Sequence, residues 1–281
     1  MSGIRNIRKT VTGQQAVDGA GVKLVRVLGR RDTQDFDPFL MLDAFDSSNP
    51  ADYTKGFPWH PHRGIETITY LIRGDIEHGD SLGNKGSILD GECQWMTAGS
   101  GIIHQEMPKA SERMLGVQLW LNLPAKDKMA PPQYNGIVKD DIPLIDEGDK
   151  KIRVIAGHYQ GTPGAVQGDY IKPLYLDLEM AAGAEWSLET DREATLFVFI
   201  IEGEGYFGGG NDNFVPAKHA VLFDEGTTFA VKAGSSGMRF LLWAARPLKE
   251  PIAWGGPIVM NTREELDLAF KELENNTFIK H

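Results

Sequence analysis

Thr67-Ile-Thr-Tyr-Leu-Ile-Arg-Gly74 is matched further along the chain by a similar stretch, Thr195-Leu-Phe-Val-Phe-Ile-Ile-Glu-Gly203. Each is an apolar run of β-branched and aromatic residues that ends at a glycine, which is the pattern of a strand entering a turn. A second pair keeps the same order, Gln118-Leu-Trp-Leu-Asn-Leu-Pro124 and Leu241-Leu-Trp-Ala-Ala-Arg-Pro247. Because a repeated unit fixes an architecture more firmly than single propensities do, these pairs predict two copies of one β unit.

Short apolar segments bounded by Gly, Pro, Asp or Asn continue through the chain and predict an all-β protein. Besides the repeated runs Thr67–Ile72 and Thr195–Ile201, the predicted strands are Leu24–Leu28, Gly116–Leu123, Ile152–Ala156, Leu174–Leu178 and Met238–Ala244. Strands this short and numerous suit a sandwich or a small barrel whose interior can hold a ligand. We divide the chain into two domains, residues 1–135 and residues 136–281.

One segment, Thr262–Asn275 near the end of the second domain, has a helical pattern instead. Thr262 and Glu265 have the spacing of a capping box, which predicts the start of the helix. The apolar residues that recur at helical spacing on one stripe are Leu266, Ala269, Phe270 and Leu273. The predicted fold class is therefore all-β with a short C-terminal helix.

The composition excludes several classes of protein. With 29 Lys and Arg against 39 Asp and Glu, the formal net charge is −10, so direct nucleic-acid binding is unfavoured. A single cysteine, Cys93, excludes an intrachain disulfide and a Cys-rich zinc site. The longest clean apolar stretch, Leu196–Ile201, is far shorter than the roughly 20 residues that cross a bilayer, and the N-terminus lacks a secretory signal. We expect a soluble protein without membrane contact, cytoplasmic or, in a eukaryote, also nuclear.

Residues that can bind a metal are concentrated in the first domain. His60 and His62 stand two residues apart, a spacing that places both side chains on one face of an extended strand. His104 and Glu106 repeat this spacing later in the domain. Two neighbouring strands that present these pairs to one interior would bring three nitrogens and one oxygen together. This arrangement predicts a site for a first-row transition metal.

The types of donor atom narrow the choice of metal ion but do not identify a single metal. Structural zinc is disfavoured, because closed zinc sites are usually rich in thiolates. Imidazoles with one carboxylate suit iron, copper, nickel, manganese or catalytic zinc. In octahedral geometry four protein ligands leave two positions open, enough for dioxygen and a substrate oxygen together.

A family resemblance follows from longer motifs around these residues. They are His60-Pro-His-Arg-Gly-Ile-Glu-Thr-Ile-Thr-Tyr-Leu71, Asp80-Ser-Leu-Gly-Asn-Lys-Gly86, Gln94-Trp-Met-Thr-Ala-Gly-Ser-Gly-Ile-Ile-His-Gln-Glu-Met-Pro108, Asp35-Phe-Asp-Pro-Phe-Leu40 and Gly256-Pro-Ile-Val-Met-Asn-Thr-Arg-Glu-Glu265. In this combination and order the sequence resembles the pirin family of the cupin superfamily over nearly its whole length.

The resemblance implies a bicupin, that is, two cupin-type β-barrels, with one metal in the first domain only. In this family the metal is usually taken as iron, so the resemblance implies Fe(II), with Zn, Mn, Ni or Cu as alternatives. Carried over by position, the ligands would be His60, His62, His104 and Glu106. In cupins at large the carboxylate comes from the position of Glu66 instead; in pirins this residue would orient a histidine or Arg63.

Two functions follow from the resemblance. The first is oxygen-dependent ring cleavage of flavonols such as quercetin, with dioxygen as co-substrate and Glu106 as the general base toward the flavonol hydroxyl. The alternative is a non-enzymatic metal-binding or redox-sensing regulatory protein, which would act as a transcription cofactor or as the binding partner of an enzyme. Trp59, Trp95 and Met96 flank the proposed ligands and would either line an aromatic slot or pack in the core.

Overall fold

A computed structural model describes residues 3–209 and 213–280 of the chain, and most of its ordered elements are β-strands. The first twelve strands are β1 (Ile7–Thr12), β2 (Gln14–Asp18), β3 (Val22–Leu28), β4 (Phe39–Ser47), β5 (Phe57–His62), β6 (Ile65–Arg73), β7 (Ile76–Asp80), β8 (Lys85–Ile88), β9 (Glu92–Thr97), β10 (Ile102–Pro108), β11 (Met114–Asn122) and β12 (Gln133–Ile137). The next twelve are β13 (Leu144–Asp146), β14 (Lys150–Ala156), β15 (His158–Tyr159), β16 (Thr162–Pro163), β17 (Leu174–Met180), β18 (Glu185–Glu189), β19 (Thr195–Phe207), β20 (Phe214–Pro216), β21 (His219–Phe223), β22 (Thr228–Ala245), β23 (Ala253–Gly255) and β24 (Ile258–Met260).

Helices are few in the described ranges. The α-helices are α1 (Thr33–Phe36) and α2 (Arg263–Glu274), and the 3-10 helices are Pro50–Asp52, Ala125–Asp127 and Lys139–Asp141. The prediction of an all-β protein with a short C-terminal helix is therefore confirmed. Neither α-helix of this part of the chain has the length and hydropathy that a membrane crossing requires.

The chain forms two compact units whose boundaries cross the sequence more than once. The first unit contains residues 14–33, 39–139 and 248–280, and the second contains residues 3–13, 34–38 and the described part of 140–247. The predicted halves, 1–135 and 136–281, differ from these units in both terminal segments and in residues 34–38 and 136–139. The N-terminal strand β1 pairs with β21 of the second unit, whereas α2 packs on β23 and β24 of the first.

In the first unit two antiparallel sheets carry the strands. The seven-stranded sheet has the order β12-β9-β6-β11-β4-β3-β2, and the four-stranded sheet has the order β5-β10-β7-β8. Apolar side chains from both sheets meet in one core cluster, which includes Leu71 of β6 and Ile76 of β7. The motifs that predict a metal site lie on β5 and β10, the first two strands of the four-stranded sheet.

The second unit is built on a nine-stranded sheet in which β19 and β22 are long central strands. Its interior is filled by packed aromatic side chains. Phe229 is fully buried, and its ring centroid lies 5.8 Å from that of Trp186 and 6.4 Å from that of Phe240. Phe207 completes this cluster.

Strand pairing accounts for the repeat seen in the sequence. In the first unit β6 pairs with β11, and Thr67 stands opposite Trp120. In the second unit the equivalent strands β19 and β22 pair in the same antiparallel sense, and Phe197 stands opposite Trp243. In each unit, the two repeated motifs therefore lie on two neighbouring, paired strands.

Helix α2 begins as predicted, with a capping box. Thr262 Oγ1 accepts from the Glu265 backbone N–H at 3.2 Å, and the Glu265 carboxylate accepts from the Thr262 N–H at 2.9 Å. The predicted apolar stripe is only partly correct. Leu266 and Ala269 are buried in a cluster with Ile258 and Met260 of β24, but Phe270 is 37% exposed and Leu273 is only partly buried.

Candidate metal centre

Two neighbouring strands place the three histidines together. β5 and β10 pair in antiparallel sense, and His104 stands opposite His60. His60 and His62 share one face of β5, as their spacing predicts. Pro61 is tolerated between them because β5 is an edge strand of its sheet, where a missing N–H breaks no central ladder.

The three imidazoles form a compact donor group. One nitrogen from each of His60, His62 and His104 lies within 4.8 Å of the others, and among the described residues this is the group of His, Cys, Asp and Glu side chains that could hold a metal ion. His62 and His104 are buried. His104 Nε2 is enclosed and has no hydrogen-bond partner among the described residues. A buried nitrogen without a partner is costly unless a ligand satisfies it.

Hydrogen bonds fix the tautomers of two of these rings. His60 Nδ1 lies 2.8 Å from the carbonyl oxygen of Pro58, and His62 Nδ1 lies 3.1 Å from that of Pro257. Because a carbonyl oxygen only accepts, each Nδ1 donates its proton and each Nε2 keeps a lone pair. A backbone acceptor on the second ring nitrogen is the usual support for a metal-binding histidine.

The two Nε2 atoms of His60 and His62 face each other at 3.0 Å. Their lone pairs repel at this distance, whereas a cation shared by both nitrogens would be attracted to each. Two nitrogens bound to one metal at about 2.1 Å and at right angles are separated by about 3.0 Å. The residues present therefore fit a metal ion.

Burial keeps the imidazoles of His62 and His104 in the neutral form. Desolvation, followed by the neighbouring His60, lowers the pKa of His62 to about 3. Desolvation and the nearby His62 and His60 also hold the pKa of His104 well below its ordinary value. Neutral imidazole is the form that coordinates metals, so at neutral pH no proton competes for these two lone pairs.

Glu106 is buried on the same face of β10 as His104, but its carboxylate is held by other groups. Gln118 Nε2 donates to both oxygens, at 3.0 and 2.9 Å, and Thr69 Oγ1 donates to Oε1 at 3.2 Å. Glu106 is not part of the three-nitrogen group, and it borders a smaller apolar space beside Phe57. The structure thus places Glu106 next to a metal ligand candidate without bringing its oxygens to the imidazoles.

Glu66 lies on β6, in the other sheet. It is buried, and its Oε1 accepts from Thr97 Oγ1 at 2.7 Å. It is also absent from the three-nitrogen group. Arg63, which the sequence pairs with Glu66, uses other partners: Nε donates to the Ser100 carbonyl at 2.7 Å and Nη1 donates to Glu272 at 2.7 Å.

The C-terminal segment completes the surroundings of the histidines. Besides the Pro257 carbonyl on His62, the Val259 N–H donates to the Arg63 carbonyl at 3.1 Å. Gly64 has φ of +76°, and a Cβ there would overlap the Val259 carbonyl oxygen, which explains the glycine in this motif. These contacts join the sequence after His62 to strand β24.

A cavity of about 660 Å³ opens in front of His60 and His62, and we call it the histidine cavity. Its aromatic walls are Trp59, Trp120 and Trp254. Trp59, which is 53% exposed, lies at the surface as part of this wall. The other two aromatic-slot candidates, Trp95 and Met96, are buried in the core instead, because they lie on β9 inside the seven-stranded sheet.

Sequence reasoning missed Gln118 and Trp254. Gln118 lines the histidine cavity and donates to both oxygens of Glu106. Its only signal in the sequence is that a polar residue starts a repeated motif whose second copy starts with Leu241. Trp254 reaches the cavity from the C-terminal segment, so no local pattern indicates its role. Another histidine, His78, is buried and bonds through Nε2 to the Tyr134 hydroxyl at 2.6 Å.

Comparison with known proteins follows this geometry. Residues 21–121 match the family model described as pirin, and residues 175–279 match the pirin C-terminal cupin domain. The chain belongs to the pirin family. The bicupin fold that the motifs imply is thereby confirmed.

The sequence similarity to pirin-like relatives extends over nearly the whole chain. A pirin-like protein of Caulobacter vibrioides is 44% identical over 280 residues, covering 98% of this chain and 99% of the relative. Human pirin is 35% identical over 278 residues, covering 98% and 94% respectively. The crystal structure of a quercetin 2,3-dioxygenase from Acinetobacter baumannii is similar, with a TM-score of 0.89, 32% identity and 98% coverage of both chains.

Proposed function

We propose that this protein is a metal-dependent dioxygenase that cleaves the ring of flavonols such as quercetin. The observation that carries the proposal is the pair of Nε2 lone pairs of His60 and His62, 3.0 Å apart, at the wall of a cavity lined by tryptophans. A volume of about 660 Å³ lies within the ordinary range for small-molecule sites, roughly 300–1,000 Å³. The similar quercetin 2,3-dioxygenase structure supports the same substrate class.

The proposed metal ligands are His60, His62, His104 and Glu106. We propose Fe(II), with Zn, Mn, Ni and Cu as alternatives that the same donors accept. When bound, the metal would supply Lewis acidity toward a substrate hydroxyl and redox chemistry toward dioxygen. Of the four, Glu106 is the residue whose donor atoms already have protein partners, because Gln118 donates to both of its carboxylate oxygens.

The protein's own residues would bind and orient the flavonol. Trp120 and Trp254 offer apolar surfaces to its planar rings, with centroids 5.7 Å apart and planes inclined by 33°. Glu106 would accept the proton of the 3-hydroxyl as general base. Gln118 would keep the carboxylate directed, since it donates to both oxygens. The buried position of Glu106 excludes bulk water from this proton transfer.

The test is turnover by purified, Fe(II)-loaded protein. Incubation with quercetin in air should bleach the flavonol absorbance and consume one dioxygen per flavonol lost. His219→Ala, in the second unit, should retain the activity, whereas His62→Ala should abolish it together with metal binding. A metal-replete wild type that neither bleaches quercetin nor consumes oxygen would overturn the enzyme proposal and favour a regulatory, redox-sensing role.

A further inference from the structure

A continuous series of ring contacts leads from the histidines to the mouth of the histidine cavity. The His62 and Trp120 ring centroids lie 5.1 Å apart, and those of Trp120 and Trp254 lie 5.7 Å apart. The guanidinium carbon of Arg30 then lies 5.4 Å from the centroid of the Trp254 ring. Arg30 is exposed and also lines the cavity. A planar ligand along this wall would have its inner end at His62 and its outer end at Arg30.

Arg30 differs from the other arginine of the cavity in its partners. Arg26 Nε and Nη2 donate to the two Asp43 oxygens at 2.9 and 2.8 Å, and Nη2 also donates to Asp18 at 2.7 Å. The acidic side chains that line the cavity, Asp18 and Asp43, are thus both taken by Arg26. The guanidinium of Arg30 has no carboxylate partner among the described residues, although it lines the same cavity.

The Trp254 ring holds this guanidinium in place. Trp254 Nε1 donates to the Gly256 carbonyl at 2.8 Å, which fixes the ring on its own backbone. An arginine stacked over an indole face keeps its charge and its N–H groups, which can form a bidentate pair with a planar oxyanion. A lysine would provide a point charge without this fork.

We propose that Arg30 is a specificity-determining residue that binds a carboxylate on the outer end of an aromatic substrate. This inference rests on the proposed function, because it places the inner oxygen of the substrate at the histidines. The preferred substrate class is then an aryl compound with a chelating hydroxyl at one end and an anionic group at the other. A neutral flavonol would use only the inner part of the cavity.

A binding experiment separates this inference from catalysis. The probes are 3-hydroxyflavone and its derivative with a carboxylate on the outer phenyl ring. Their affinities are measured by quenching of tryptophan fluorescence on Fe(II)-loaded protein under nitrogen, where no substrate is consumed. The variants are Arg30→Gln, Arg30→Lys and the control Arg31→Gln. Arg31 is exposed and does not line the cavity. Its replacement by Gln changes the net charge of the protein as much as Arg30→Gln does, but away from the cavity.

Wild type should bind the carboxylate probe about tenfold more tightly than 3-hydroxyflavone, the effect expected for one charge-assisted pair at a partly exposed site. Arg30→Gln should remove this preference, Arg30→Lys should keep part of it, and Arg31→Gln should leave it unchanged. Equal affinities for the two probes in wild type would overturn the inference. So would an equal loss for both probes in Arg30→Gln, because Arg30 would then only support Trp254. If wild type prefers the carboxylate probe under nitrogen but consumes no oxygen in the separate turnover assay in air, the role of Arg30 is supported and the dioxygenase proposal is refuted.

Discussion

Arg63 donates from Nη1 to Oε2 of Glu272 at 2.7 Å, so the residue after His62 is tied to helix α2 by an ion pair. The Arg63 side chain is only 2% exposed and that of Glu272 is 17% exposed. Nη2 also donates to the Phe278 carbonyl at 2.8 Å, and the guanidinium lies 4.1 Å from the Phe278 ring centroid. Arg63 therefore anchors the C-terminal segment whose Pro257 carbonyl orients His62.

Replacement of this arginine should weaken both the fold and the metal site. Arg63→Met removes the donor to Glu272 Oε2 and to two buried carbonyl groups, while Lys280 still pairs with Glu272 Oε1. We expect a loss of about 3 kcal/mol in the free energy of unfolding. Urea denaturation measures this loss, and metal titration should show reduced affinity in the folded variant. The control is Arg73→Met, whose ion pair with Asp90 is exposed and should contribute at most about 1 kcal/mol. Equal effects of the two substitutions would contradict the anchoring role.

His104→Gln tests the three-nitrogen group. The variant removes a buried nitrogen that has no other partner in the described residues, so metal affinity should fall by at least about 100-fold, more than the loss of an outer hydrogen-bond partner. Metal analysis of freshly purified protein and competition with a chelator measure it. His219→Gln, whose ring contacts the Ala217 carbonyl in the second unit, should retain one metal per chain. Retention of full metal content by His104→Gln would exclude this histidine as a ligand.

The two buried glutamates can be separated by parallel variants. If Glu106 is the fourth ligand and the base, Glu106→Gln should reduce metal affinity and lower kcat by roughly 100-fold or more, as for loss of a general base. Glu66→Gln keeps the shape of a group bonded to Thr97 and should change metal affinity less. Chelator competition and single-turnover kinetics give the two quantities. The opposite order of effects would assign the carboxylate ligand to Glu66.

Stability of the metal-free protein should depend on pH through His62. Its pKa is about 3 in the fold against an ordinary 6.5, so between these values the unfolded chain binds more protons than the native state. The free energy of unfolding therefore falls as pH decreases from 6.5 toward 3, by about 4 kcal/mol from this residue. Chemical denaturation of wild type and His62→Gln across this range checks the slope. If the free energy of unfolding depends on pH in the same way in wild type and in His62→Gln, His62 does not titrate as described. The control is His158→Gln, at an exposed position, which should keep the wild-type dependence on pH.

Much of the fold follows from local sequence, because its central strands are long apolar runs that end at turn residues. Each predicted strand overlaps an observed one, including the paired strands β6 with β11 and β19 with β22. The capping box at Thr262 is likewise a local signal, since both of its hydrogen bonds join residues three positions apart. The sequence also indicates that β5 and β10 lie side by side, because the two-residue spacing of the candidate ligands marks one face of each strand.

The remaining features depend on contacts between distant parts of the chain. Trp254 and Pro257 reach the histidines from a segment nearly two hundred positions later, and no periodicity links them to β5. The hold of Gln118 on Glu106 depends on the tertiary approach of β10 to β11. The exposure of Phe270 could not be predicted for the same reason. Helical spacing shows which residues lie on one side of a helix, but not how much of that side is covered by distant parts of the chain.

The aromatic core of the second unit makes a last prediction about the separate roles of the two units. Phe229 is fully buried among Trp186, Phe207 and Phe240, so Phe229→Ala should cost about 3–5 kcal/mol in the free energy of unfolding. Because the three-nitrogen group belongs entirely to the first unit, the folded variant should still bind one metal per chain. Calorimetry and metal analysis on the same sample measure both quantities. Phe214→Ala, at a site that is 51% exposed, should cost far less. Metal loss from folded Phe229→Ala would show instead that the packing of the second unit supports the histidines.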